Sequence, residues 1–301
     1  MAQKAKTSTK TKTTRTAATK TASKRAAASK VVAKAKASET PVRRFGTVTP
    51  QSLVAEAIGT FGLALAALTA PTDQPLLVGL ALVVLLIGMI SISGGHFNPA
   101  VTFGLWAMNK LEAVKVPFYW LAQFIGALGA FMVVGVYNGN GSNLDLSSFG
   151  VWDWRIFWVE LLGTALLLFG LVATLKNVGS VIGRAAGIGV SLTVGLVVAG
   201  GLLTLNATRE QTAVQGGEAT TVSQTFGAQG AALNPAVALA QTERDVDAIN
   251  QSISGNSAGT TEQKTPSHFT VSVILGTLVG AALGTNLYLL LTGLSWKSRT
   301  L

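Results

Sequence analysis

Apolar stretches separated by short polar segments fill the chain after its first 50 residues. Only 12% of the residues are charged, about half the share found in soluble domains. A helix needs about 20 apolar residues to cross a bilayer. Six stretches qualify, and they lie at 51–70, 76–93, 116–137, 156–175, 182–205 and 269–293. The pattern predicts an all-α polytopic membrane protein with six transmembrane helices.

Two further apolar stretches, at 99–108 and 235–242, are too short to cross the bilayer. Each follows an asparagine and begins with proline. Asparagine is a favourable N-cap, and proline is tolerated at the first helical position because its missing N–H would have no partner there. We therefore expect each Asn-Pro-Ala triplet to start a re-entrant half-helix. The triplets are Asn98, Pro99 and Ala100, and Asn234, Pro235 and Ala236.

The two halves of the apolar region resemble each other. The first opens with VAEAIGTFGLALAAL and the second with WVELLGTALLLFGLV, so Glu56 and Glu160 each stand three residues before a Gly-Thr pair. Each half holds three spans, an odd number, so the second must enter the membrane from the opposite side. This predicts an inverted 3+3 repeat, about 49–140 and about 150–296, with a site near the midplane.

The predicted topology brings the two triplets together. Two half-helices that enter from opposite faces meet N-terminus to N-terminus, where Asn98 and Asn234 offer N–H donors and both helix dipoles present positive ends. Such a site favours a neutral hydrogen-bonding solute and repels protons and cations.

Two interpretations are open for Glu56 and Glu160, which would be costly in lipid and should face the protein interior. In the structural interpretation they accept hydrogen bonds from backbone N–H groups of the re-entrant loops. In the functional one they relay protons in a coupled transporter. Their symmetric placement favours the structural role.

The chain has two histidines and no cysteine, which excludes disulfides and thiolate chemistry. His96 precedes the first triplet, and Leu233 takes that place in the second. We expect His96 to serve in packing or at the cytoplasmic mouth, with a pH-sensing gate as the alternative. His268, at the outer end of the last span, is expected to be an interfacial bystander. No metal site or cofactor is expected.

The positive charge is concentrated at the N-terminus. Residues 1–44 carry a net charge of +12 and the remaining 257 residues carry −2. The Lys/Ala/Thr composition predicts that 1–48 is a disordered cytoplasmic tail resting on anionic lipid headgroups. Nucleic-acid contact and a transit peptide are the alternatives.

The lysine and arginine residues outside the tail predict the orientation. The positive-inside rule puts both termini in the cytoplasm, and we expect the cell (plasma) membrane. The basic residues that indicate this orientation are Lys110, Lys115, Lys176, Arg184, Lys297 and Arg299.

Several of these segments resemble the aquaporin (major intrinsic protein) family. They are SGGHFNPAVT (93–102), NPA (234–236), AEAIGT (55–60), VELLGT (159–164) and AQFIGA (122–127). The resemblance covers about 50–295 and implies an aquaporin-like channel domain over 49–296, with six transmembrane helices and two re-entrant half-helices. It also implies a homotetramer with one pore per subunit, and a passive channel rather than an enzyme.

The chain departs from the family after the second triplet. The family usually has an arginine there, lining the outer selectivity constriction, whereas this chain has Val237. Counting from the triplets puts two other constriction positions at Val78 and Ala231, and matching IGVSLTVGL (188–196) to the family's fifth helix gives Leu196. The resemblance thus implies a wholly apolar constriction without arginine donors.

The segments 206–229 and 243–267 look longer than the family's external loops, and we expect a lid over the outer mouth. Two alternatives are open for the permeant. One is water alone, and the other is water with small uncharged solutes such as glycerol-like or ammonia-like molecules. The alternative hypothesis is a non-conducting or gated structural membrane protein of the same fold. An ion-coupled transporter is a third.

Overall fold

The computed structural model describes residues 48–139, 143–255 and 265–293. The predicted basic tail lies outside these ranges except for Val48. The C-terminal residues Lys297 and Arg299 and the middle of the predicted outer loop, 256–264, also lie outside them.

Within the described ranges, six helices are long and apolar enough to cross a membrane, as predicted. They are α1 (Pro50–Thr69), α2 (Pro75–Ser93), α4 (Lys115–Tyr137), α5 (Trp154–Asn177), α6 (Val181–Gln215) and α10 (Val271–Thr292). The two half-helices are α3 (Pro99–Ala107) and α8 (Pro235–Ala240), and two short helices are α7 (Gln224–Gly227) and α9 (Val246–Ile253). Within the described ranges, extended pairing is limited to two isolated bridges. The predicted all-α architecture is confirmed.

Glycines let α10 pack closely against α5. A Cβ on Gly276 would lie 2.7 Å from the carbonyl oxygen of Phe157, and Cβ atoms on Gly280 and Gly284 would overlap the backbone of the next two turns of α5. In the first half, Gly126 of α4 meets the backbone of α1 in the same way. Small residues allow such close approach between membrane helices. The two halves thus repeat the pairing of their first and third spans.

Large apolar side chains cover the outside of the bundle. Val84, Leu121 and Leu290 are 70%, 60% and 78% exposed. Trp154 and Trp158, near the start of α5, are also exposed, and tryptophan is typical of the membrane interface. This distribution suits a protein surrounded by lipid.

The helix α6 is longer than predicted, because it continues to Gln215 rather than ending near 205. Its 35 residues extend about 52 Å at 1.5 Å per residue, beyond the roughly 30 Å of hydrocarbon. The apolar pattern stops at Leu205, but the polar extension is held by Glu210. That carboxylate accepts bonds from Arg155 at 2.8 Å and from the Ser223 hydroxyl at 2.7 Å. We call this side of the bundle, with 206–230, 241–255 and 265–268, the loop face.

Candidate functional site

Each Asn-Pro-Ala triplet starts a half-helix as predicted. Asn98 has extended backbone, and its Oδ1 accepts a hydrogen bond from the Ala100 N–H at 2.7 Å. Asn234 repeats this arrangement with the Ala236 N–H at 3.0 Å. Asparagine therefore caps both helices, and the proline that follows occupies the first helical position.

The residue before each asparagine reverses the chain. Phe97 and Leu233 have φ values of 49° and 51°, in the left-handed region that costs a non-glycine residue about 1–3 kcal/mol. Both side chains are fully buried. The surrounding structure must hold these residues in place.

The two predicted glutamates hold these reversals. Glu56 accepts hydrogen bonds from the N–H groups of His96 and Phe97 at 3.0 and 2.7 Å. Glu160 accepts the matching pair from the two residues before Asn234, both at 2.8 Å. Both carboxylates are fully buried. Each re-entrant loop is therefore fixed by the first helix of its own half.

A third partner of each glutamate differs between the halves. Gln123 donates to Glu56 at 2.8 Å and to Thr102 at 2.9 Å. Gln123 lies three residues before Gly126, the glycine of α4 that packs against α1. At the matching position of α10, three residues before Gly280, the second half has Thr277, whose hydroxyl bonds within its own helix. In the second half the third partner is instead His268.

The expectation for His268 was wrong, because this side chain is buried and not interfacial. It is 2% exposed, its Nε2 lies 3.2 Å from Glu160 Oε1, and its Nδ1 bonds to Glu243. Burial by itself lowers the pKa of His268, but the bonds to Glu160 and Glu243 outweigh it and raise the pKa to about 10. Glu243 lies in a polar segment of the loop face, and nothing in its sequence pattern distinguishes it from a solvated loop residue.

The two triplets are bonded to each other. Asn98 Nδ2 donates to the carbonyl oxygen of Leu233 at 2.8 Å, and Asn234 Nδ2 donates to that of Phe97 at 2.9 Å. An amide nitrogen has two N–H groups, so each asparagine keeps one beyond this bond.

One narrow cavity of about 90 Å³ runs past both asparagines. The four predicted constriction residues share its lining, and they are Val78, Leu196, Ala231 and Val237. Leu196, placed from sequence by matching a single helix, therefore lines the same cavity as the other three. All four side chains are aliphatic, so this stretch of wall offers no side-chain donor.

His96 lines the same cavity. Its side chain is 8% exposed, with Nδ1 3.1 Å from Thr102 Oγ1 and the ring in an edge contact with Tyr119 at 5.2 Å. His96 is thus packed and also borders the narrow cavity.

A wider cavity of about 610 Å³ opens on the loop face. It shares Leu196, Gly200 and Gly230 with the narrow cavity, so the two adjoin. Asp73 and Arg244 bring charge to its wall. We call this wider cavity the vestibule, and it forms the approach to the narrow cavity from the loop face.

The long segments of the loop face contribute Ala228, Gln229, Gly230 and Arg244 to the vestibule wall. Val222 and Asn250 exchange two hydrogen bonds, at 2.7 and 3.1 Å, which join 216–229 to α9. Arg244 donates from its backbone N–H to Gly227 at 3.0 Å. A lid over the mouth stays a prediction, since 256–264 lies outside the described residues.

Comparison with known proteins agrees with this geometry. A family model described as "Major intrinsic protein" matches residues 47–210. Aquaporin TIP3-1 of Zea mays is 37% identical over 86 residues, which are 28% of this chain and 32% of that protein. Aquaporin PIP1-1 of Oryza sativa subsp. japonica is 39% identical over 83 residues, which are 26% of this chain and 29% of that protein. The matches span about a third of these relatives' length.

An X-ray structure of the aquaglyceroporin from Plasmodium falciparum aligns with 79% of this chain and 94% of that chain, at 21% identity and a TM-score of 0.48. The family model, which covers more than half of the chain, carries the assignment. Members of the matched family are passive channels, which confirms that the chain is not an enzyme. With six membrane-capable helices and two half-helices meeting at paired asparagines, the chain is an integral membrane protein that belongs to the major intrinsic protein family.

Proposed function

We propose that this protein is a passive transmembrane channel for water and/or small uncharged solutes, glycerol-like or ammonia-like, with an atypical apolar selectivity constriction. The observation that carries the proposal is the shared cavity. Asn98 and Asn234 line it together with the aliphatic ring, Val78, Leu196, Ala231 and Val237. The relatives' names, which are those of aquaporins, also support water as a permeant.

The chemistry of the wall supports uncharged cargo. A solute that crosses the ring loses hydrogen bonds to water and gains none from the four aliphatic side chains there, which is costly for a polar group and far more so for an ion. At the triplets, the free N–H of each asparagine offers a donor to the solute. A neutral molecule with an oxygen or nitrogen acceptor can therefore pass the apolar ring and can also bind at the two asparagines.

Glu56 and Glu160 serve in this proposal as supports of the re-entrant loops. The four backbone N–H bonds that they accept favour this role over proton relay, because those bonds occupy both oxygens of each carboxylate. His96 is proposed as a residue of the cytoplasmic mouth, which its place in the cavity wall supports.

Osmotic experiments on reconstituted protein test the channel. Proteoliposomes are exposed to a hypertonic impermeant solute for water, and to gradients of glycerol, urea and ammonia for solutes, with stopped-flow light scattering as the measurement. We expect faster volume change than in empty liposomes for water or for at least one solute. No acceleration for any of the four would overturn the proposal and favour the non-conducting alternative.

We further propose a homotetramer in the plasma membrane, with both termini cytoplasmic and the basic tail against anionic headgroups. The chain has no cysteine, so Glu218→Cys on the loop face and Glu112→Cys between α3 and α4 are clean reporters of orientation. An impermeant maleimide added to intact cells should label Glu218→Cys only.

Two further measurements test the oligomeric state and the role of the tail. Native mass spectrometry should give four copies, and deleting residues 1–44 should weaken binding to anionic vesicles.

A further inference from the structure

Besides His96 and the two asparagines of the triplets, the polar side chains that line the narrow cavity among the described residues are those of Thr72 and Gln241, and Gln241 carries an amide. Gln241 follows α8 directly, four residues after Val237, and lines the same narrow cavity. Its backbone N–H donates to the Val237 carbonyl at 3.0 Å and its carbonyl accepts from the His268 N–H at 2.9 Å. The backbone is therefore held on both sides, one turn beyond Val237 towards the loop face.

The side chain of Gln241 has an unpaired atom. Its Oε1 is buried and has no hydrogen-bond partner among the described residues. A buried amide oxygen without a partner is costly. The neighbouring amide of Gln229 donates from Nε2 to the Thr242 carbonyl at 3.1 Å and makes no hydrogen bond to Gln241 Oε1. Packing among the described residues therefore leaves the oxygen of this amide without a partner.

Resting on the proposed channel function, we propose that Gln241 is the polar selectivity residue of this pore. The side chain turns the buried Oε1 towards the narrow cavity, where it accepts a hydrogen bond from a small uncharged organic solute with O–H or N–H groups, such as a polyol or a urea. The remaining surface of such a solute contacts the aliphatic ring. One acceptor replaces part of the solute's lost hydration, whereas water, which has no apolar surface to place against the ring, gains less.

The neutral amide also changes how ions are excluded. An arginine in the ring would add a positive charge, but Gln241 adds none. Exclusion of ions near Val237 then depends on dehydration in the apolar ring. This part of the pore therefore selects among solutes by the cost of removing their hydration and by the hydrogen bond that Gln241 accepts.

A second cavity gives the competing explanation. Gln241 also lines a side cavity of about 130 Å³, together with Thr72, Gln229, Thr242 and His268. A water fixed in that cavity would satisfy Oε1 without any contact with the transported solute. Removal of the amide would then leave the selectivity of the pore unchanged.

The test compares Gln241→Met, which keeps the length of the side chain and removes its polar atoms, with the native chain in proteoliposomes. We expect the ratio of glycerol to water permeability, and that of urea to water, to fall about 3- to 10-fold, the range for losing one neutral hydrogen bond. Gln211→Met is the matched control, because Gln211 lines the vestibule but not the narrow cavity, and both ratios should be unchanged.

The outcomes separate this inference from the channel proposal. If the native chain conducts and Gln241→Met leaves both ratios unchanged, Gln241 is not a selectivity residue and the channel proposal stands. If the native chain conducts nothing, both proposals fail. Gln241→Leu decides the question if Gln241→Met does not reconstitute, and Gln241→Asn, which keeps the amide, should retain more of the organic-solute permeability than either.

Discussion

Asn98 donates from its side chain to the backbone carbonyl of Leu233, a residue 135 positions later in the chain. The reciprocal bond runs from Asn234 to Phe97. Each asparagine therefore caps its own half-helix and holds the loop of the other half. The two repeats are thus joined at the triplets by hydrogen bonds as well as by apolar packing.

Asn98→Ala should destabilise the protein more than an asparagine change elsewhere. Loss of the cap costs about 1 kcal/mol, and leaving the Leu233 carbonyl unpaired in a buried site costs about 1–3 kcal/mol more. The measurement is thermal unfolding in detergent, followed by tryptophan fluorescence. Asn286→Ala is the control, because the side-chain bond of Asn286 within the described part of the chain goes to Ala282 in its own helix. Equal losses in the two variants would contradict a special role for the crossed bonds.

Glu56→Gln and Glu160→Gln separate loop support from proton relay. A glutamine keeps one acceptor oxygen and places an amide NH₂ where the other was, so one backbone N–H of the loop loses its partner, at a cost of about 1–3 kcal/mol. Glu160→Gln should lower the unfolding temperature more, because the third partner of Glu160 is His268, which its raised pKa keeps positively charged, whereas the third partner of Glu56 is the neutral amide of Gln123.

Transport by the folded fraction of these two variants distinguishes the interpretations. Loop support predicts that water or solute flux per folded protein persists without dependence on a proton gradient. A flux that requires a proton gradient in the native chain, and loses that requirement in either variant, would establish the relay instead.

The stability of the loop face should depend on pH through His268. Burial lowers its pKa, but the contacts with Glu160 and Glu243 raise it from 6.5 to about 10. A pKa raised by folding gives a stabilisation that is complete below pH 6.5 and is lost as the pH rises through about 10. The unfolding temperature of the native chain should therefore fall between pH 6.5 and pH 10.

His268→Gln provides the comparison for that pH dependence. Glutamine can hydrogen-bond to the carboxylates but does not titrate, so its unfolding temperature should be lower at pH 6.5 and change less towards pH 10. His96→Gln controls for the loss of a histidine as such and should keep the native slope. A His268→Gln protein with the native slope would show that other groups titrate instead.

The architecture was predictable from sequence because its signals are local and repeated. Apolar length marks the spans, and the paired triplets mark the half-helices, so the predicted limits of α2 and α4 lie within one residue of those observed. The end of α6 was not predictable from hydropathy, because its polar extension is held by Glu210, whose partners Arg155 and Ser223 lie outside this helix.

The polar residues around the site also divide into those that local sequence signals predict and those that only the fold reveals. Glu56 and Glu160 were found because they repeat within matching segments. Glu243 and Gln241 were not, because each matters through a neighbour that only the fold supplies. Glu243 reaches His268 across 25 residues, and Gln241 borders the pore because α8 ends there.

Val237→Arg tests whether the apolar ring controls selectivity. The guanidinium adds donors and a positive charge, and it fills more of the narrow cavity. We expect the permeability ratio of glycerol to water to fall. Cation leak should fall about 100-fold if a unit charge acts at about 6 Å with an effective dielectric constant of about 20. Val237→Leu enlarges the side chain without charge, so it should lower glycerol flux and leave any cation leak within severalfold of native. Unchanged water, glycerol and cation rates in both variants would show that Val237 does not limit the pore, and that the constriction lies elsewhere along the cavity.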